Sequence, residues 1–378
     1  MTDPATPRFN GLILPGGGAR AAYQVGVLQA LAETLPPSVK MPFPVISGVS
    51  AGAINAAKLA THGEDFREGV ARLADLWGNL KVDRIYRTDL RTVLGDSLRW
   101  VSGLGRGLDR AGVRSILNNQ PLRELLEDEL DFDAVQRAIE AGSLRGLAVT
   151  AAGFTSAESV TYFQASADCA GWRRTRREGK PARLSAEHVM ASVALPILFP
   201  AARIDGEWHG DGSLRQTSPI SPAIHMGADR ILIIAVRNED PNLKRSDLPQ
   251  PYPSFGQIGG YMLDSLFMDG IYTDLERIQR INRTVAQVGG NHASELRLVD
   301  ARVVVPSADI REIVEAHKDA FPRTVRTLFG LIGARGPAGG QLLSYLLFDQ
   351  GYCRALMDLG YKDGMARKDE LVPWLTGG

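Results

Sequence analysis

Residues 43–54 read Phe43-Pro44-Val45-Ile46-Ser47-Gly48-Val49-Ser50-Ala51-Gly52-Ala53-Ile54: a short apolar run, the pentapeptide Gly-x-Ser-x-Gly, then a helical pattern. An apolar run of this length, broken by glycines and followed by a helical period, predicts strand, tight turn, helix. Upstream, Phe9 to Leu14 is a similar run that stops at Pro15 and the triple glycine Gly16-Gly17-Gly18. A helical pattern with Tyr23, Val27, Leu28 and Leu31 on one face follows, ending at Pro36-Pro37. The first 63 residues therefore read strand, glycine loop, helix, strand, turn, helix. A right-handed crossover makes the two strands parallel. Both glycine turns then emerge at the carboxyl edge of the sheet, where open α/β sheets bind ligands.

Further out, residues 64–142 read as mainly helical, with a basic stretch from Arg99 to Arg114. Strands are expected at Gly146 to Ala152, Val160 to Gln164 and Ile231 to Val236, and Ser185 as the N-cap of a helix through Ser192. Ala202 to Ile204 and Glu207 to His209 flank Asp205-Gly206, a dipeptide suited to a two-residue hairpin turn. Residues 239–254 are polar with four prolines and read as a linker or surface loop. Residues 258–288 are helical by period, Val303 to Val305 is one more strand, and the rest is mostly helical. The expected division is an α/β domain over 9–238, a linker over 239–254 and a mainly helical extension over 255–378.

Composition sets the class. The chain has 378 residues, 44% hydrophobic and 23% charged, as a globular protein does. Lys plus Arg and Asp plus Glu are both 43, so no nucleic acid partner is expected. Cys169 and Cys353 form no disulfide framework and are expected as free thiols of a reducing compartment. Residues 1–10 lack the pattern of a signal peptide, and no run of about 18 apolar residues suggests a membrane span. The expected location is cytoplasmic, with peripheral membrane contact left open.

Ser50 lies between a predicted strand and a predicted helix, as a nucleophile elbow requires. Gly48 and Gly52 permit the sharp turn, and the helix N-terminus favours developing negative charge. Without that context the motif is weak, and an ordinary turn serine is the plain alternative. Gly16, Gly17 and Gly18 offer unobstructed N–H groups, which suit an oxyanion hole. They also suit a dinucleotide cradle, since Gly16, Gly18 and Ala21 satisfy G-x-G-x-x-G/A. Nucleotide binding wants an acidic residue after the second strand, and none occurs from Thr34 to Gly63. As base for the serine, none of His62, His188, His209, His225, His292 and His317 has the spacing of a known triad. Asp211, in His209-Gly210-Asp211-Gly212-Ser213, is the better candidate, with a simple turn cap as the alternative.

Together these blocks resemble the patatin-like phospholipases. Gly16-Gly17-Gly18-Ala19-Arg20 is similar to the family's oxyanion loop, Gly48 to Gly52 to its nucleophile elbow, and Asp211-Gly212 to its D-G-[GA] element. Ala191 to Pro196 through Phe199-Pro200 resembles the block upstream of that Asp. Ala21 and Ser213 depart slightly from the family pattern, and the resemblance covers residues 9–238.

The resemblance implies a three-layer α/β/α sandwich with a mostly parallel sheet. It also implies hydrolysis of lipid acyl esters without metal or cofactor. Ser50 and Asp211 would form the dyad, with Gly16, Gly17, Gly18 and Ala51 around the oxyanion and Arg20 adding positive charge. Another acyl ester or thioester substrate, such as an acyl-CoA or a hydroxyacid oligomer, would use the same site, and a non-catalytic binding protein is the remaining reading. Two basic clusters, Arg99 to Arg114 and Trp172 to Arg183, suit anionic lipid headgroups or the phosphates of an acyl-CoA, or are solvated faces.

Overall fold

A computed structural model of the chain describes residues 9–87, 115–238, 252–288, 296–322, 325–327 and 340–377. The strands are β1 Phe9–Leu14, β2 Val45–Val49, β3 Gly146–Gly153, β4 Ser159–Ala165, β5 Trp172–Arg174, β6 Arg177–Pro181, β7 Ala202–Ile204, β8 Glu207–Asp211, β9 Ala228–Ile234 and β10 Asp300–Val304. Among the described residues they form one sheet of ten strands in the order β10-β9-β1-β2-β3-β4-β6-β5, with β8 pairing to β3 and β7 to β8. From β10 to β3 every neighbour is parallel, and β4 reverses the direction. All residues of β2 and β3 are buried, which is why these strands read as unbroken apolar or small-residue runs.

Helices cover both faces, so the chain is a three-layer α/β/α sandwich. The helices that matter for the site are α1 Ala22–Thr34, α2 Ala51–Thr61, α3 Phe66–Gly78, α4 Gln120–Glu129, α5 Phe132–Glu140, α6 Ala186–Ser192 and α7 Ser221–His225. Further on come α8 Phe255–Val288, α9 Ile310–His317, α10 Gly340–Leu346, α11 Gln350–Ala366 and α12 Lys368–Thr376. α1 packs along α11 at a distance set by small residues. A Cβ on Gly26 would lie 1.9 Å from the Met357 carbonyl oxygen, and one on Gly360 2.1 Å from that of Tyr23.

The expected order of the first 63 residues is the observed one, and the hairpin at Asp205-Gly206 has positive φ at both turn residues (49° and 85°), as a type I′ turn requires. Ser185 caps α6 in a box with His188. Two features escape a reading of pattern. The β5–β6 hairpin is too rich in arginine to show apolar alternation. It lies at an edge, where charge is tolerated and discourages further pairing. The strand near Val303 joins the main sheet at its far edge, beside β9. The basic stretch Arg99 to Arg114 and most of 239–254 lie outside the described residues. Among the described residues no helix is long and apolar enough to cross a membrane.

The register places the site. Leu14 pairs with Gly48 and Val49 with Thr150, so β1 and β2 end level, while β3 runs on to Gly153. Asp211, the last residue of β8, pairs with Ala151 of β3. The loops after β1 and β2 and the end of β8 therefore meet at a single edge.

Candidate active site

Ser50 is the N-cap of α2 and adopts φ 53°, ψ −131°, a conformation that L-residues avoid. The turn is forced by crowding. A Cβ on Gly52 would lie 1.9 Å from the Leu14 carbonyl oxygen, and one on Gly48 2.4 Å from that of Gly52. Strain of this kind persists only where the surroundings over-determine it. Here one clamp is Ser192, at the end of α6. Its hydroxyl accepts from Ser50 N at 2.8 Å and donates to the Thr150 carbonyl at 2.6 Å. The Ser50 amide is thereby occupied, whereas the amide of Ala51 opens α2, where the first N–H groups have no partner within the helix.

Asp211 is fully buried. Its Oδ1 accepts from Ser213 N at 2.9 Å, while Oδ2 is buried with no completed hydrogen bond. Burial pushes the carboxyl up from 3.8 to about 6, and the neighbouring Ser50 hydroxyl and the Ser213 amide oppose that rise. Ser50 thus stands close enough to bias the carboxyl without closing a well-formed hydrogen bond to it. Such loose contacts are common in free enzymes. Gly212 is pressed against β3, where a Cβ would lie 2.2 Å from the Thr150 carbonyl oxygen.

Both residues face one cavity with room for only a few water molecules, about 40 Å³. Gly18, Ser50, Ala51 and Asp211 form its polar floor, and Ile54, Ile85, Leu122, Val193, Leu195 and Phe199 its apolar sides. Leu263 of α8, Tyr345 and Leu346 of α10, and Phe348 cover it. Of the three glycines only Gly18 reaches the cavity. Its φ of 53° and the Tyr345 carbonyl oxygen, 2.2 Å from where a Cβ would be, leave room for no side chain. Gly16 and Gly17 are buried behind it.

Arg20 goes elsewhere. Its guanidinium is buried under α8 and α10, 3.1 Å from Asp264, with further bonds to Ser344 (2.8 Å) and Tyr345 (3.0 Å), and it stacks over the Tyr345 ring at 3.8 Å. It does not line the cavity. Asp264 also accepts from Tyr345 and Gln341 and lies 3.5 Å from Arg237. Sequence reasoning assigned no role to Ser192, Asp264 or Tyr345. Ser192 lay within a recognised block, but nothing in its spacing marked it as the partner of the Ser50 amide.

His209, two residues before Asp211, is turned away from it. Its ring bonds the Tyr162 hydroxyl at 3.1 Å, and burial lowers its pKa. Among the described residues no cluster of His, Cys, Asp and Glu has the arrangement of a metal site. The arrangement is suited to nucleophilic acyl transfer: a hydroxyl on a strained turn, a buried carboxylate and helix-start amides, in an apolar space.

A family model described as patatin-like phospholipase matches residues 12–224. No curated protein matches the chain at a significant level. Two solved structures are similar. One is VipD from Legionella pneumophila, at 16% identity and TM-score 0.36, with 96% of this chain and 67% of that one covered. The other is human GIVD cytosolic phospholipase A2 in complex with methyl gamma-linolenyl fluorophosphonate, at 11% identity and TM-score 0.42, with 98% and 59% covered.

Proposed function

We propose that this chain, which belongs to the patatin-like phospholipase family, hydrolyses lipid acyl esters with Ser50 as nucleophile and Asp211 as its only base. Family membership supports carboxylic ester hydrolysis of lipids in general. The dyad rests on one observation: a serine held on a strained strand-to-helix turn beside a fully buried carboxylate that has a spare oxygen.

In this reading Ser50 Oγ attacks the acyl carbonyl carbon while Asp211 Oδ2 takes the hydroxyl proton. The amides of Gly18 and Ala51 hold the oxyanion, assisted by the start of α2. Asp211 returns the proton to the leaving alcohol. Water then repeats the sequence in reverse on the acyl-enzyme. A free aspartate, at a pKa of about 3.9, is a poor base. A value near 6 brings Asp211 closer to working pH while leaving it ionised at neutrality. Arg20 holds the glycine loop against the C-terminal helices and adds no charge to the oxyanion. The apolar sides suit an acyl chain.

The test is labelling with a fluorophosphonate probe, with the modified residue located by mass spectrometry. Label on Ser50 alone, absent in Ser50→Ala, is the expected result. A folded protein that takes no label even after prolonged reaction overturns the reading. Release of fatty acid from phospholipid, compared with release from acyl-CoA, then separates lipid ester from thioester chemistry.

A further inference from the structure

The basic cluster from Trp172 to Arg183 divides into two groups. Arg173 lies 3.2 Å from Glu158, Lys180 3.4 Å from Glu178, and Arg183 pairs with Asp133, so these charges are compensated. Arg174 and Arg177 have no carboxylate at ion-pair distance among the described residues, and they sit directly opposite each other across the turn of the β5–β6 hairpin. Like charges in that position destabilise a hairpin. Local conflicts of this kind are expected at functional or strained sites. A third cation, Arg297, comes to the same place from the segment before β10, anchored through Nη2 to the carbonyls of Ile224 and Ala228.

The three arginines line one cleft of about 550 Å³, against about 40 Å³ for the catalytic cavity. No carboxylate lines it among the described residues, and much of the rest of its lining is apolar: Ile224, Ile278, Ile281, Leu296 and Val299. Asp274, whose carboxyl feels Arg177, is engaged with the Ile220 amide (3.2 Å) and Arg277 (3.3 Å). His225 forms part of the wall, stacked on Trp172 with centroids 4.5 Å apart and planes at 8°. Burial, and then Arg174, Arg177 and Arg297, push its pKa down to about 4. A neutral His225 adds no charge of its own to the three arginines.

We propose that this cleft binds a phosphoryl anion carried on an apolar body, the anion held by Arg174, Arg177 and Arg297 and the body laid against Ile278, Ile281 and Leu296. Guanidinium groups match phosphate oxygens in paired hydrogen bonds. A dianion between Arg174 and Arg177 would turn their mutual repulsion into attraction. The cleft is separate from the catalytic cavity, but α8 lines both: Leu263 lies in one and Ile278 in the other, about 22 Å apart at 1.5 Å per residue.

The test uses the full chain and binding alone, so it stands or falls independently of the Ser50–Asp211 reading. Inorganic phosphate is titrated by calorimetry at low salt into wild type, the double variant Arg174→Gln/Arg177→Gln, and Arg173→Gln. Wild type and Arg173→Gln are expected to bind alike, and the double variant about tenfold more weakly or worse. Phosphate should also raise the pKa of the His225 ring in wild type, followed by NMR. Relief of the opposed charges should leave the melting temperature of the double variant unchanged or raised, so that misfolding is excluded.

Vesicles of phosphatidylcholine with and without phosphatidic acid separate the two sources of the anion. Binding that needs phosphatidic acid, is lost in the double variant and is displaced by phosphate supports the cleft and identifies a lipid headgroup. Binding of phosphate without vesicle binding supports the cleft and identifies a soluble phosphorylated compound. Equal binding by wild type and double variant, or no binding of phosphate or of vesicles by wild type, overturns the proposal.

Discussion

The floor and the cover of the cavity around Ser50 and Asp211 are built in different ways. The floor is fixed by backbone geometry: Gly18, the strained Ser50, the first amide of α2 and Asp211 at the end of a hairpin strand, all from within residues 12–224, the span the family model matches. The cover is side chain: Leu263, Tyr345, Leu346 and Phe348, all from outside that span. It is tied down by Arg20 and Asp264 and by the Tyr86 hydroxyl, which donates to the Leu346 carbonyl at 3.1 Å. The division makes physical sense. Groups that stabilise charge must be held to fractions of an ångström, and backbone on rigid elements does that. Groups that only surround an acyl chain need to be apolar and of the right size. Floor variants should therefore abolish chemistry, and cover variants should alter which substrate is used.

The largest expected effect is on the floor. Ser50→Ala should lower ester hydrolysis by about 10⁴-fold or more in a chromogenic ester assay. Asp211→Asn should lower kcat by about 10³-fold or more with the fold intact; a loss under tenfold would remove Asp211 as the base. Ser192→Ala removes the clamp on the Ser50 amide without touching substrate, and should cost about 10-fold to 100-fold in kcat with KM little changed. On the cover, Leu346→Ala should cost about 2–5 kcal/mol of stability. Its kcat on a short-chain ester should stay within about threefold while preference moves toward longer or bulkier acyl chains. If Leu346→Ala instead lowered kcat as far as Ser192→Ala does, the division between floor and cover would be wrong.

The carboxyl of Asp211 sharpens the same contrast through pH. A base must be ionised, so under the proposed dyad kcat/KM should rise as pH passes through about 6. Stability should move the other way. A carboxyl whose folded value is raised contributes fully below the unfolded value of 3.8, and the contribution is lost as pH rises through about 6. The loss by pH 8 is about 3 kcal/mol at 1.36 kcal/mol per unit. Asp211→Asn should therefore melt higher than wild type at pH 8, with the difference vanishing near pH 4. An equal difference at both pH values would show that burial is not the cause.

What the sequence alone determined is the part that contiguous residues encode. The strand, glycine loop, helix and elbow of the first 63 residues, the turn at Asp205-Gly206 and the Asp211 loop each carry their own backbone instructions, because glycines, caps and apolar periods act on their immediate neighbours. The tertiary structure alone decided where Arg20 points, that Ser192 holds the elbow, that α8 and α10 roof the cavity, and that Arg297 joins Arg174 and Arg177. These depend on side chains that meet across long stretches of chain. An ordinary leucine, tyrosine or arginine carries no local sign of which distant partner it will meet, since burial and ion pairing are properties of the packed whole.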